Sequence, residues 1–70
     1  MMKSVRLKGV STKGKNVVRN HGEDWAVIGI RDSLPRFGQG PFALVESKKD
    51  KDMRWIHLTS EPNFIIIEES

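Results

Sequence analysis

The 70-residue chain has no cysteine, no tyrosine and only two histidines. Without Cys no disulfide can brace the fold, and nothing requires an oxidising compartment. His21 and His57, with neither Cys nor a spaced carboxylate beside them, do not make a zinc site, so no metal and no other cofactor is expected. The longest apolar stretch, Phe64 to Ile67, falls far short of the roughly 20 residues of a membrane span. The start MMKSVRLKGV lacks the apolar core of a signal peptide. These absences point to a cytoplasmic protein without membrane contact. Also missing are a nucleophile elbow, a phosphate-binding loop and a paired-carboxylate motif, and so short a chain leaves little room for a cleft. No enzyme is expected.

A domain of this size buries only about 60% of the surface that its unfolded chain exposes, which leaves its stability thin. With disulfides and metals set aside, tight packing or self-association has to supply the difference.

The net charge of +3 hides an uneven distribution. Residues 1–22 hold Lys3, Arg6, Lys8, Lys13, Lys15 and Arg19 and no acid, for +6; residues 23–59 balance to 0; residues 60–70 carry Glu61, Glu68 and Glu69 and no base, for −3. If the two ends meet in the fold, part of the basic charge is answered internally; otherwise the first third is a basic surface.

Five segments read as strands from alternation and from their β-branched and aromatic content. They are Ser4 to Val10, Trp25 to Ile30, Phe42 to Ser47, Met53 to Leu58 and Phe64 to Glu68. WAVIGI is apolar on both faces, as a central strand should be, and KKDKD between the third and fourth segments is the solvated tip of a hairpin. Between Ser11 and Gly22, Ser11 or Thr12 can cap a helix, Val17, Val18 and His21 share one face, and Gly22 can stop it in the left-handed conformation. Gly14 opposes that helix by about 1 kcal/mol relative to Ala, and an extended loop over Ser11 to Gly22 is the alternative. The run SLPRFGQGP, with two prolines and two glycines, is expected to be a loop.

Five short strands and one short helix between strands 1 and 2 predict a mainly β, single-domain small barrel, because closure removes edges that so short a sheet cannot otherwise protect. An oligonucleotide/oligosaccharide-binding barrel would carry its helix between strands 3 and 4, where this chain has the KKDKD hairpin. A Src-homology-3-like barrel has a long decorated connection after strand 1 and a short turn before strand 5, and Ser11 to Asp24 and Thr59 to Asn63 supply both. The five-stranded Src-homology-3-like barrel is therefore the expected architecture.

Two resemblances bear on function. The ending EPNF followed by Ile65, Ile66 and Ile67 resembles the close of Src-homology-3 domains. There a Pro and a following aromatic line a groove for proline-rich peptides, which carries over to Pro62 and Phe64. The family's N-terminal aromatic motif and acidic loop are absent, so the resemblance bears on fold more than on ligand. Lys13 to Trp25, KGKNVVRNHGEDW, is similar to a segment of short uncharacterised proteins encoded by tailed bacteriophages. That resemblance implies a small phage accessory factor acting in a bacterial host and brings no known activity.

Among individual residues, Lys13, Lys15 and Arg19 stand out, with Asn16 beside them. On a helix Lys15 and Arg19 are an i,i+4 like-charge pair, unfavourable by a few tenths of a kcal/mol unless an anion relieves it. The bland reading is a solvated helix face. Arg36 and Phe37 sit in the Gly/Pro loop, where an exposed Arg–Phe pair can form a contact tip or Phe37 can fold back as a lid. Trp25 and Trp55 are expected as core anchors rather than stacking platforms. Together these readings give a small non-catalytic binding module for a host or phage protein or for its own copies, with binding residues Lys13, Lys15, Asn16, Arg19, Arg36 and Phe37. The alternative is a barrel that binds DNA or RNA through its basic N-terminal third.

Overall fold

A computed structural model describes residues 4–69; Lys3, counted in the basic third, lies outside them. The elements are β1 (Ser4–Gly9), α1 (Thr12–His21), β2 (Asp24–Leu34), β3 (Gly38–Ser47), β4 (Met53–His57) and β5 (Phe64–Glu69). The strands form one antiparallel sheet in the order β4-β3-β2-β1-β5. The expected closure is not found: β4 pairs only with β3, and β5 only with β1. What stands is a mainly β domain with an open five-stranded sheet and one short helix.

The core follows from strand alternation. Val5 and Leu7 of β1, Trp25 of β2, Ala43 and Val45 of β3, Ile56 of β4 and Phe64 of β5 form the buried cluster, with Val17, Val18, Val27, Leu58 and Ile66 packed against it. Trp25 is fully buried, and its indole N–H donates to the Gly22 carbonyl at 3.0 Å. Trp55, expected beside it as a second anchor, is instead half-buried and outside the cluster. Register explains this: Trp55 faces Leu44, one step out of phase with the core pair Ala43 and Ile56.

Helix α1 begins and ends as its sequence dictates. Ser11 is the N-cap, its Oγ accepting from the Gly14 amide at 2.9 Å and donating to Asn63 Oδ1 at 2.7 Å. At the other end the Gly22 amide donates to the Val18 carbonyl at 2.8 Å. Gly22 has φ 85° but ψ 178°, so it stops the helix by turning into an extended path rather than by adopting the left-handed helical conformation. Gly14, which weakens the helix intrinsically, is required by packing. A Cβ there would lie 1.9 Å from the Asn63 carbonyl oxygen, so only Gly lets the first turn rest on the start of β5.

The stretch expected as a loop from Ser33 to Pro41 is mostly strand. β2 runs on to Leu34 and β3 starts at Gly38, leaving only residues 35–37 as the turn. Gly40 and Pro41 are accommodated in a register shift between the Ser33–Gln39 and Arg31–Phe42 pairs, the kind of irregularity that tolerates Pro inside a sheet. The β3–β4 tip is tied down as well. Ser47 Oγ donates to the His21 carbonyl and accepts from the Lys49 amide, while the His21 ring meets Asp50 at 2.6 Å and Asp52 at 3.7 Å. The chain ends lie side by side, with Ser4 opposite Glu69 and Val5 opposite Glu68, and Arg6 pairs with Asp24 at 3.8 Å.

Three outcomes follow. Gly14→Ala should lower stability by about 1–3 kcal/mol despite the gain in helix propensity, whereas Asn16→Ala on the exposed face should raise it by about 0.5 kcal/mol; urea midpoints of the two variants will move in opposite directions. Trp25→Ala should lose about 3–5 kcal/mol and unfold the domain, read by circular dichroism. The Asp50 carboxyl is held below its usual range, first by the His21 hydrogen bond and then by the Asp52 amide. A depressed folded pKa contributes stability above the unfolded value and loses it as pH falls through the folded one. The tip should therefore come away from α1 below about pH 4, seen as faster exchange of the Lys49 and Asp50 amides, and Asp50→Asn should remove that pH dependence.

Candidate binding cleft

The unpaired edges of β4 and β5 leave a seam. A cleft of about 390 Å³ opens there, larger than the sequence led us to expect. Its walls are Arg54, Trp55 and His57 of β4, Phe37 and Phe42 from the β2–β3 hairpin, Ser60 to Phe64, and Lys13 and Val17 of α1. Phe37 leans on Phe42 with ring centres 6.2 Å apart and is 65% exposed. His57 packs edge-on to Phe42 at 4.9 Å. The cleft is thus aromatic on one side and carries one free cation, Lys13, for which no ion pair is found among the described residues.

Polar side chains on the rim are mostly engaged. Glu61 accepts from the His57 amide at 3.1 Å with one oxygen and from the Asn63 amide at 3.1 Å with the other, so it braces the turn. His57 Nδ1 receives the amides of Thr59 and Ser60 at 3.2 and 3.0 Å. Because both partners are donors, Nδ1 must be the acceptor, and Nε2 carries the proton that it gives to the Gln39 carbonyl at 3.1 Å. His57 is therefore a turn brace. Arg54 spreads over Trp25 at 5.9 Å and donates to Asp52 at 3.1 Å.

The outer backbone edge of β4, by contrast, is unanswered at Trp55 among the described residues. Leu58 donates to the Pro41 carbonyl and Ser47 to the Asp52 carbonyl, which fixes residues 52, 54, 56 and 58 as those bonded to β3. Alternation then turns Met53, Trp55 and His57 toward the seam. The His57 amide is taken by Glu61, and no bond to the Trp55 amide or carbonyl is found among the described residues.

Of the residues singled out in the sequence, the structure brings Lys13 and Phe37 into the cleft, together with Pro62 and Phe64. Arg36 is exposed in the turn next to Phe37. Lys15, Asn16 and Arg19 are exposed on the side of α1 opposite to Gly14, Val17, Val18 and His21, which face the sheet. They form a separate surface. Sequence reasoning missed Trp55, Phe42 and Arg54; the signal for Trp55 was its position out of phase with Ile56 and Leu58 in MRWIHL. Among the described residues no group of His, Cys, Asp and Glu is arranged to hold a metal, and no helix is long and apolar enough to cross a membrane. No family model, curated protein or solved structure matches the chain.

Proposed function

We propose that this chain is a non-catalytic module that grips an extended segment of another protein in the seam beside β4. The observation that carries this reading is the coincidence, in one cleft, of aromatic walls with an unanswered strand edge at Trp55. A segment lying there would gain main-chain hydrogen bonds from β4 and place alternate side chains against Phe37, Phe42 and Phe64. Lys13 at the rim favours an acidic group at one end of the segment. The polar side chains that a catalytic role would recruit, His57 and Glu61, are already committed to backbone groups.

The strand order, with α1 in the long connection after β1 and a short turn before β5, supports a Src-homology-3-like sheet left open at one side. In line with the similarity of Lys13 to Trp25 to phage proteins, the partner is to be sought among host and phage proteins in the bacterial cytoplasm.

A second reading has its own support. Lys15 and Arg19 are exposed on one face of α1, without an ion pair among the described residues, a face that fits the phosphates of DNA or RNA.

The two readings separate in one experiment. Immobilised protein is exposed to bacterial lysate with and without nuclease at two salt concentrations. On the first reading it retains a protein after nuclease treatment, and Trp55→Ala or Phe37→Ala, each still folded by circular dichroism, weakens retention by about 2 kcal/mol. Loss of all retention on nuclease treatment overturns it. Lys15→Glu with Arg19→Glu should leave folding within about 0.5 kcal/mol per site. On the second reading that double variant alone abolishes nucleic-acid binding and flattens its salt dependence.

A further inference from the structure

The other unpaired edge has a different character. Val10 donates to the Asn63 carbonyl, so alternation assigns Asn63, Ile65 and Ile67 as the residues bonded to β1, and turns the amides and carbonyls of Phe64, Ile66 and Glu68 outward. No partner for these outward groups is found among the described residues. Natural edges are blunted by Lys, Pro, bulges or a covering loop. Phe64 to Ile67 contains no charge and no Pro, and its pairing with β1 shows no bulge. On the outer face Ile65 and Ile67 stand 50% and 45% exposed.

We infer that β5 pairs antiparallel with β5 of a second copy of this chain, about a two-fold axis at Ile66. Three observations converge on that occupant and that register. First, the outward-bonding residues are spaced symmetrically about Ile66, so Phe64 meets the partner's Glu68 and Ile66 meets its own equivalent. Every outward amide and carbonyl of the set is then answered, as an isologous interface requires. Second, the same register sets Ile65 against the partner's Ile67, which joins the half-exposed isoleucines of both copies into one apolar cluster. Any shift by one residue would leave the outward groups facing groups already bonded to β1. Third, the charges match. The partner's Glu68 arrives beside Phe64, which lines the same cleft as Lys13, a cation without an ion pair among the described residues. The acidic end of one copy thus answers part of the basic third of the other.

The strand edge used is that of β5, not β4, although Phe64 and Lys13 also line the cleft. A contact of one short strand buries less than the roughly 1,200 Å² of a standard stable interface, so the dimer is a weak one, forming at about 0.1–1 mM. Sedimentation equilibrium of the whole chain at low salt over that range should show the 8.0 kDa monomer giving way to twice its mass. Ile65→Lys with Ile67→Lys, substitutions of exposed side chains, should hold the protein monomeric with an unchanged circular dichroism spectrum. Glu68→Lys and Lys13→Glu should each weaken the dimer about 2–5-fold, and the two together should restore it.

Amide exchange gives a readout that needs no variant. In dilute solution Ile65 and Ile67 should be protected while Phe64, Ile66 and Glu68 exchange freely, and concentration should protect the second set. A chain that stays monomeric to about 1 mM, or a dimer that leaves those amides unprotected, overturns the proposal. A dimer that Trp55→Ala dissolves while Ile65→Lys with Ile67→Lys leaves it intact also overturns it, since self-association would then run through the cleft.

Discussion

The contact of Gly14 with Asn63 is the constraint from which the rest of the arrangement follows. The backbone of the helix's first turn lies directly on the carbonyl that opens β5, and Ser11, the N-cap, is bonded to the same residue's side chain. One residue thereby fixes where the helix starts and where the last strand begins. Val17 and Val18 are carried over the core as a result, and Lys13 is brought to the cleft wall. A Gly costing about 1 kcal/mol in helix propensity is tolerated because no other residue permits the approach.

At the opposite end of the helix the joint is polar. Ser47 and His21 bind the β3–β4 tip through a carbonyl, a hydroxyl and two carboxylates. Neither joint is strong alone, since the tip's ion pairs are partly exposed and such pairs contribute little. Their effect is to orient. The helix is pinned at Asn63 and again at Ser47, so the face bearing Lys15, Asn16 and Arg19 is held outward while Lys13 stays with the aromatic wall. The four residues grouped by sequence proximity are thus divided by the fold between two surfaces.

Strand positions, the helix with its cap and stop, and the core role of Trp25 were legible in the sequence, because each rests on local periodicity or on a single residue's chemistry. The extent of β2 and β3 was not. Pro35, Gly38, Gly40 and Pro41 are breakers by local rules, and only pairing across the hairpin shows that a register shift absorbs Gly40 and Pro41. The cleft was hidden for a related reason. Its walls come from β4, the β2–β3 turn, α1 and the segment before β5, residues that no linear spacing relates, and Trp55 was misjudged because apolar neighbours outweighed its phase. Pro62 and Phe64, singled out through a family resemblance, line the cleft wall.

An open sheet in so small a domain leaves two edges that need protection from unselective pairing. Each edge exposes main-chain groups that pair readily with any extended chain, and closing the seam would have satisfied them within the molecule. The two edges are not handled alike. On β4, Glu61 takes the His57 amide and aromatic side chains crowd the approach, so only a segment with fitting side chains can reach the Trp55 backbone. On β5 the pairing with β1 carries no bulge, and Glu68 and Glu69 follow the isoleucines. A strand added in the wrong direction or register would set like charges together or leave them beside apolar groups, which disfavours unselective association. The two edges for which we propose partners thus lie on either side of one seam, and Lys13 lines the cleft there. That lysine is where occupation of one edge would be felt at the other, since an acidic group arriving from either side competes for the same ammonium.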